Sequence, residues 1–319
     1  MGKEAIICLD IGGTNLRIGM VDRQCRLSEA RTLSTEKVAE GDFVAGLMHT
    51  LEDYYSEMRE SYTVRAVVLG VPAAVDKRRR VVLQAPNVPG LDGEPLADKL
   101  EQVLGIPVFL AKDVDLLLTY DLYRENLPED GMIVGIYFGT GIGNSIYLGG
   151  EFLTGKNGVA GELGHIPQLG SEIVCGCGNI GCMEPMGGGR QLSHLCETVF
   201  PATHVSQIYK IHGQTPEVRQ QVDAMAATVA TEVNILDPDY VIIGGGLPQM
   251  EGFPTEYFLE RVGARCRKPR PWENLDIRFA RPNQANGVIG AGIYGWRMLQ
   301  REKPDSVSGV VCLQAYAKG

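Results

Sequence analysis

Near its start the chain reads Ala5-Ile-Ile-Cys-Leu-Asp10-Ile-Gly-Gly-Thr-Asn15-Leu-Arg-Ile-Gly-Met-Val21. Two apolar runs flank a short turn with two glycines. This pattern predicts two antiparallel strands joined by residues 10–15, here called the first glycine turn. A second copy of the pattern contains Gly139-Thr-Gly-Ile-Gly143, the second glycine turn, between predicted strands at 132–138 and 144–148. Two halves that open in the same way predict an internally duplicated α/β architecture, with two domains and a cleft between them.

Hydrophobic periodicity predicts the elements that surround the two turns. The predicted strands lie at 30–35, 65–71, 108–110 and 240–243, and the predicted helices at 43–60, 96–104, 217–236 and 290–300. One face of the first helix carries residues that we expect in the core, namely Phe43, Leu47, Leu51 and Tyr54. We expect residues 1–114 and about 297–319 to form a small N-terminal domain, and residues 115–296 to form a large C-terminal domain.

The composition is typical of an enzyme of the cytoplasm. Of the 319 residues, 44% are hydrophobic and 22% are charged, and the net charge is −9, which argues against a nucleic-acid surface rich in Lys and Arg. No run approaches the roughly 20 apolar residues of a membrane span. The first apolar run is too short for a signal peptide. The basic cluster Lys77-Arg-Arg-Arg80 is interpreted as the solvated tip of a hairpin.

Residues 162–184, here called the cysteine loop, combine two kinds of chemistry. The loop contains Glu162-Leu-Gly-His165, then Cys175-Gly-Cys177, and finally Cys182-Met-Glu184. Three cysteines and a histidine at close spacing are the tetrahedral ligand set that Zn²⁺ prefers. A Cys₃His site is already closed, so the two carboxylates that bracket it are predicted to face a ligand. The alternative is a set of buried thiols in a glycine-rich turn. The other five cysteines are scattered, as expected of reduced thiols.

The two glycine turns are predicted to bind the phosphates of a nucleotide. Glycines let backbone N–H groups approach phosphate oxygens, and the threonines add hydroxyl donors. The predicted nucleotide contacts are Gly12, Gly13, Thr14, Asn15, Gly139, Thr140, Gly141 and Gly143, with Gly244, Gly245 and Gly246 near the nucleoside. Asp10 lies at a strand end, where its carboxylate can orient a Mg²⁺ ion through water. Either turn alone could be a simple hairpin; both together favour ATP binding.

Phosphoryl transfer to a hydroxyl needs a carboxylate that accepts the proton. Asp113 follows a short strand late in the first half and is the best candidate. Asp115 and Asp121 lie on the predicted helix that follows, and Asp76 lies in a turn. From the residues alone, a helix N-cap is an equally good interpretation of Asp113.

These residues resemble the ROK family of sugar kinases and sugar-responsive repressors. The resemblance extends over nearly the whole chain and is carried by both glycine turns, Asp113, the cysteine loop, Pro86-Asn87-Val-Pro-Gly90 and Ile243-Gly-Gly-Gly-Leu247. It implies a duplicated actin/hexokinase-like (ribonuclease H-like) two-domain fold, with Asp113 as the base toward the 6-hydroxyl of a hexose. It further implies sugar contacts from Asn87, Glu162, His165 and Glu184, and a structural zinc held by His165, Cys175, Cys177 and Cys182. A homodimer is a further expectation from the family.

The chain departs from the family's glucokinases at Lys112, where those enzymes usually have an asparagine that binds a sugar hydroxyl. Three stretches most resemble the D-allose kinase branch, namely Lys112-Asp-Val-Asp115, Gly158-Val-Ala-Gly-Glu-Leu-Gly-His-Ile-Pro167 and Asn234-Ile-Leu-Asp-Pro-Asp239. We therefore expect D-allose as the substrate and Lys112 as a sugar contact whose charge favours ionised Asp113. The alternative is that Lys112 points to solvent and that the chain is a glucokinase, fructokinase or N-acetylmannosamine kinase. A non-catalytic regulator of the family is not expected, because a strand is predicted at about residue 5, where such proteins place a helix-turn-helix segment before the first glycine turn.

Overall fold

The computed structural model describes residues 2–86 and 88–302. The strands of this part of the chain are β1 Lys3–Ile11, β2 Asn15–Asp22, β3 Leu27–Ser34, β4 Tyr62–Val71, β5 Ala74–Val75, β6 Val82–Gln84, β7 Val108–Lys112, β8 Met132–Phe138, β9 Ile142–Leu148, β10 Glu151–Phe152, β11 Tyr240–Gly244 and β12 Asp276–Phe279. The helices are α1 Thr35–Val38, α2 Phe43–Met58, α3 Leu96–Leu104, α4 Asp113–Glu125, α5 Glu184–Gly187, α6 Gly189–Thr198, α7 Ile208–His212, α8 Pro216–Leu236, α9 Thr255–Arg265 and α10 Asn286–Glu302.

The first sheet has the strand order β3-β2-β1-β4-β7. The predicted hairpin around the first glycine turn is present, because β1 and β2 pair antiparallel with Ile11 opposite Leu16. Strands β4 and β7 run parallel to β1, with Asp10 opposite Gly70 and Gly70 opposite Ala111. The carboxyl ends of β1, β4 and β7 therefore lie at one edge of the sheet, and this edge carries Asp10 and the start of α4.

The second sheet repeats this topology with the strand order β10-β9-β8-β11-β12. The hairpin of β8 and β9 is antiparallel and places Phe138 opposite Ile142 at the second glycine turn. Strands β11 and β12 are parallel to β8. The repeat of one antiparallel hairpin followed by two parallel strands confirms the predicted duplication.

The chain divides into two compact units, each built on one of these sheets. The described residues of Met1–Glu129, Thr154–Ala160 and Asn283–Gly319 form the first unit, and Asp130–Leu153 and Gly161–Pro282 form the second. In this division α4 and the whole described part of α10 lie with the first sheet, because α10 packs on α4, β1 and β4. The division drawn from the sequence, at 114 and 296, differs from these units and stays a prediction.

Each unit has its own apolar core. In the first unit α2 and α3 cover one face of the sheet, and the residues predicted to face the core, Phe43, Leu47, Leu51 and Tyr54, are all buried there. In α10, a Cβ placed at Gly290 would lie 1.9 Å from the carbonyl oxygen of Leu116 in α4. Only a glycine allows these two helices to approach so closely. In the second unit β8 and β11 pack against α8 and α9.

The region after β2 differs from the prediction. The expected strand at 30–35 is β3, which spans Leu27–Ser34, and a short helix, α1, follows it at Thr35–Val38. The strand ends here because Ser34 caps the helix, its side chain accepting a hydrogen bond from the backbone N–H of Lys37. The sequence contained this cap, and the prediction overlooked it.

The basic cluster at 77–80 is only partly solvated, so the interpretation as a solvated tip is wrong for two of its residues. Lys77 and Arg78 are exposed. Arg79 forms an ion pair of 2.9 Å with Asp115, which is buried. Arg80 donates to the carboxylates of Asp98 and Glu101. These partners lie far along the chain, so local charge patterning could not indicate them.

The longest helix in the described part of the chain is α8, with 21 residues. No helix among the described residues is both long enough and apolar enough to cross a membrane.

The second unit buries a carboxyl group that no predicted role uses. Glu232 in α8 is 3% exposed, and its Oε2 atom has no hydrogen-bond partner. Burial raises the pKa of Glu232 to about 7, although a hydrogen bond from Asn144 on β9 lowers it. Because this pKa lies above the ordinary value of 4.5, the folded state favours the protonated carboxyl.

We predict that the free energy of unfolding falls as the pH rises from about 4.5 to about 7, because in this range the folded state keeps Glu232 protonated whereas the unfolded state releases the proton. The difference between the two pKa values corresponds to about 3 kcal/mol. Glu232→Gln removes the titration and should abolish most of this loss in urea unfolding at pH 5 and pH 8. Glu217→Gln, at the start of the same helix, is the matched control and should keep the wild-type trend. An unchanged pH trend in Glu232→Gln would contradict the prediction.

Candidate functional site

The first glycine turn is held by its own backbone and by α1. The N–H of Gly12 donates to the carbonyl of Asn15 at 2.9 Å, which closes the turn. The hydroxyl of Thr35 donates to the carbonyl of Gly12 at 2.7 Å, and the N–H of Thr35 donates to the carbonyl of Thr14 at 3.0 Å. Thr35, which the sequence analysis did not single out, thus fixes both sides of the turn beside Asp10.

Asp113 is the first residue of α4 and follows directly on β7. The residue at the N-cap position is Lys112, which makes no side-chain capping bond. The Oδ1 atom of Asp113 accepts from the backbone N–H of Val114 at 2.8 Å. Asp113 is therefore the first residue of α4 and not its N-cap, so the N-cap interpretation is wrong. Its carboxylate is available for another role.

The environment of Asp113 raises its pKa to about 7. Burial is the largest cause, followed by the negative charge of Asp10, while the N–H of Val114 and the charge of Lys112 lower the pKa. Burial also raises the pKa of Asp10, and Arg17, whose Nη1 lies 3.9 Å from Asp10 Oδ2, opposes that rise. Two partly buried carboxylates thus lie in one environment that raises the pKa of both, which suits one of them to accept a proton near neutral pH.

A residue that the sequence analysis missed lies against Asp10. A Cβ placed at Gly287, in the first turn of α10, would lie 2.6 Å from the Cγ and Oδ2 atoms of Asp10. The absence of a side chain at Gly287 therefore lets the N-terminal end of α10 reach this carboxylate, which the partial positive charge of that helix end stabilises. The pattern Gly287-x-x-Gly290-x-Gly292 was visible in the sequence, but it did not indicate a partner.

Lys112 is partly buried and does not simply point to solvent. Its Nζ atom donates to the carbonyl of Ala160 at 3.2 Å. Ala160 ends the segment Thr154–Ala160, which belongs to the first unit and leads along the chain to Glu162.

The second glycine turn and Gly244–Gly246 lie at the ends of neighbouring strands. The N–H of Leu247 donates to the carbonyl of Phe138, the last residue of β8, at 3.0 Å. Gly245 has a positive φ of 90°, and a Cβ there would lie 2.4 Å from the same carbonyl oxygen. The structure therefore brings these two predicted nucleotide-binding stretches together within the second unit.

The cysteine loop gathers the predicted zinc ligands. The ligand atoms of His165, Cys175, Cys177 and Cys182 all lie within 4.8 Å of one another. Cys175 Sγ is 3.6 Å from His165 Nδ1, and Cys177 Sγ is 3.7 Å from Cys182 Sγ. Thiolates at about 2.3 Å from a tetrahedral zinc lie about 3.7 Å apart, so this donor set fits the ion. The same residues would hold it in a closed structural site.

The two carboxylates of the cysteine loop face different neighbours. Glu162 Oε2 lies 3.7 Å from Nε2 of His165, the ring nitrogen that faces away from Cys175. Glu184 instead accepts a hydrogen bond of 3.0 Å from the backbone N–H of Ile142 in the second glycine turn. Asn87, the remaining predicted sugar ligand, lies outside the described residues.

Comparison with known proteins relates this arrangement to one family. The family model described as "ROK family" matches residues 6–295. A glucokinase from Thermotoga maritima is 28% identical over 269 residues, covering 77% of this chain and 83% of that protein. An N-acetylmannosamine kinase from Salmonella typhi is 28% identical over 294 residues, covering 90% of this chain and 97% of that protein. A ROK hexokinase from Thermus thermophilus has a crystal structure that matches with a TM-score of 0.77 at 28% identity, covering 93% of this chain and 99% of that chain.

These findings confirm the predicted fold class, an α/β fold of the actin/hexokinase-like type with two domains. They also confirm the predicted family. The roles given to individual residues stay predictions.

We predict one zinc ion per chain, bound by the cysteine loop. Metal analysis of the purified protein should give one equivalent of zinc, and Cys182→Ser should lose it, because a hydroxyl is a poor zinc ligand at neutral pH. Cys196→Ser, which changes a cysteine in α6 outside the ligand set, is the control and should retain the full equivalent. Zinc retained by Cys182→Ser would show that the loop is not the site.

Proposed function

The chain belongs to the ROK family, and on this premise we propose that it transfers the γ-phosphate of ATP to the 6-hydroxyl of a hexose. The observation that carries the proposal is Asp113, a carboxylate at the end of a parallel strand whose pKa is raised to about 7 by burial and by Asp10. A base with a pKa near the working pH combines ionisation with useful basicity. In the proposed reaction Asp113 accepts the 6-hydroxyl proton as the sugar oxygen attacks the γ-phosphorus.

ATP would be held by the two glycine turns, with its nucleoside near Gly244–Gly246. Backbone N–H groups of a glycine turn bind phosphate oxygens without steric hindrance, which supports this proposal for both turns. Asp10 would hold Mg²⁺ through water, and the ion would neutralise charge on the transferring phosphoryl group. The burial of Asp10 supports this role, because its raised pKa reflects a carboxylate that a nearby cation would stabilise.

The hexose would be bound by Asn87, Glu162, His165 and Glu184. This proposal is supported for His165 by the orientation of its ring, whose Nδ1 faces the sulfur of Cys175 and whose Nε2 faces the carboxylate of Glu162. With Nδ1 on a zinc ion, the ring is fixed and Nε2 can donate to a sugar hydroxyl.

Among hexoses we propose D-allose, on the strength of Lys112 and the sequence around it. In the structure Lys112 donates to the carbonyl of Ala160, a contact that the sequence analysis did not foresee. The Thermotoga maritima and Salmonella typhi relatives are named for glucose and for N-acetylmannosamine, and these two sugars are the alternative substrates. A homodimer remains an expectation from the family.

The test is a coupled assay of ADP release with Mg·ATP and zinc-replete protein. The panel contains D-allose, glucose, mannose, fructose, N-acetylmannosamine and N-acetylglucosamine. Turnover of at least one sugar is expected, and Asp113→Asn should lower kcat by about 10²–10⁴-fold while sugar affinity is largely retained. No turnover of any sugar would contradict the proposal and favour a non-catalytic regulator.

The same assay tests the choice of sugar. If Lys112 contacts the substrate, Lys112→Asn should lower the ratio of kcat/KM for D-allose to that for glucose. Lys112→Arg keeps a cation and is the matched control. A preference for another hexose in the wild-type protein, or an unchanged ratio in Lys112→Asn, would overturn the D-allose proposal and leave the kinase intact.

A further inference from the structure

Glu184 joins the cysteine loop to the second glycine turn. A single residue, Met183, separates it from the predicted zinc ligand Cys182. Its Oε2 atom accepts from the backbone N–H of Ile142 at 3.0 Å. A Cβ placed at Gly141 would lie 2.2 Å from the same Oε2 atom and 2.8 Å from Cδ. The carboxylate therefore lies in contact with the backbone of the turn.

The other end of the cysteine loop contacts the same turn. Gly164 precedes the predicted zinc ligand His165. A Cβ at Gly164 would lie 3.0 Å from the carbonyl oxygen of Ile142 and 3.3 Å from Cβ of Glu184. Both chain segments that carry the outermost zinc ligands thus pack on Ile142.

The chain that follows Glu184 completes the support of the turn. The N–H of Gly188 donates to the carbonyl of Glu184 at 2.8 Å. The next two N–H groups bind the turn itself, from Gly189 to the carbonyl of Gly139 at 2.8 Å and from Arg190 to the carbonyl of Thr140 at 3.2 Å. Three backbone groups of the turn are therefore bonded to residues 184–190.

We propose that Glu184 is a positioning residue for nucleotide binding, which couples the metal in the cysteine loop to the conformation of the second glycine turn. Zinc fixes Cys182, the short connection fixes Glu184, and Glu184 fixes the backbone of Gly141 and Ile142. The metal then strengthens nucleotide binding although its ligands do not contact the nucleotide. The proposal rests on the proposed function, in which the turn holds ATP phosphates.

The test measures the affinity for Mg·ADP by calorimetry, in the absence of sugar. In metal-replete protein, Glu184→Ala should weaken Mg·ADP binding roughly 10-fold, as expected for loss of a hydrogen bond to a charged acceptor. Glu184→Gln keeps an oxygen that accepts from Ile142 and should stay close to wild type. Glu172→Ala is the control, since Glu172 is an exposed carboxylate of the same loop outside the predicted ligand set, and it should retain wild-type affinity for Mg·ADP.

The coupling to the metal is tested by removing zinc with a chelator, desalting, and restoring Mg²⁺. Wild-type protein should then lose affinity for Mg·ADP by a similar factor, whereas Glu184→Ala should change little further, because the link is already broken. Circular dichroism of each sample checks that the fold persists.

The outcomes separate this proposal from the proposed function. If metal-replete wild type does not bind Mg·ADP, the kinase function fails and this inference fails with it. If wild type binds but Glu184→Ala binds equally well, the kinase function stands and the positioning role is wrong. Equal losses on zinc removal in wild type and Glu184→Ala would also contradict the coupling.

Discussion

The candidate site of the first unit depends on the partial burial of two like charges at one edge of a sheet. Parallel pairing of β1, β4 and β7 places Asp10 opposite Gly70 and Gly70 opposite Ala111, so the backbone of Ala111 is about two strand spacings, or about 10 Å, from that of Asp10. Asp113, the first residue of α4, follows two residues after Ala111. Burial and mutual repulsion raise the pKa of Asp113 to about 7. Ionisation of Asp113 lowers the stability of the folded protein, because it places a second negative charge near Asp10. The ionised state is nevertheless the one that a general base needs.

The second unit has the same topology as the first, but its glycine turn is held by different contacts. Its hairpin turn carries no carboxylate equivalent to Asp10, and its backbone is held from outside, by Glu184, Gly189 and Arg190. The first glycine turn is instead held by Thr35, which belongs to the helix that follows its own hairpin. The two units therefore share a topology, but the first has a carboxylate, Asp10, at its glycine turn and the second has none at the corresponding position.

Hydrophobic periodicity and turn residues predicted the helices and strands that depend mainly on neighbouring residues in the sequence. The helix at 96–104 and the strand at 132–138 were predicted with their observed bounds, because apolar periodicity and flanking glycines mark them. The cluster of His165 with Cys175, Cys177 and Cys182 was also predictable, because the four residues are close in the sequence; zinc binding there stays a prediction. Contacts that join distant residues were not predictable. Examples are the ion pair of Arg79 with Asp115 and the approach of Gly287 to Asp10, where the informative feature is a missing side chain.

The most direct test of this account is the pH dependence of kcat/KM for the preferred hexose with saturating Mg·ATP. Because Asp113 must be ionised to accept a proton, kcat/KM should rise about tenfold per pH unit and level off above about 7. Asp10→Asn removes a charge that raises the pKa of Asp113, so the inflection should move to lower pH even though the overall rate falls. A profile that is flat from pH 5.5 to 8.5, or an inflection that Asp10→Asn does not move, would contradict the role of the buried carboxylate pair.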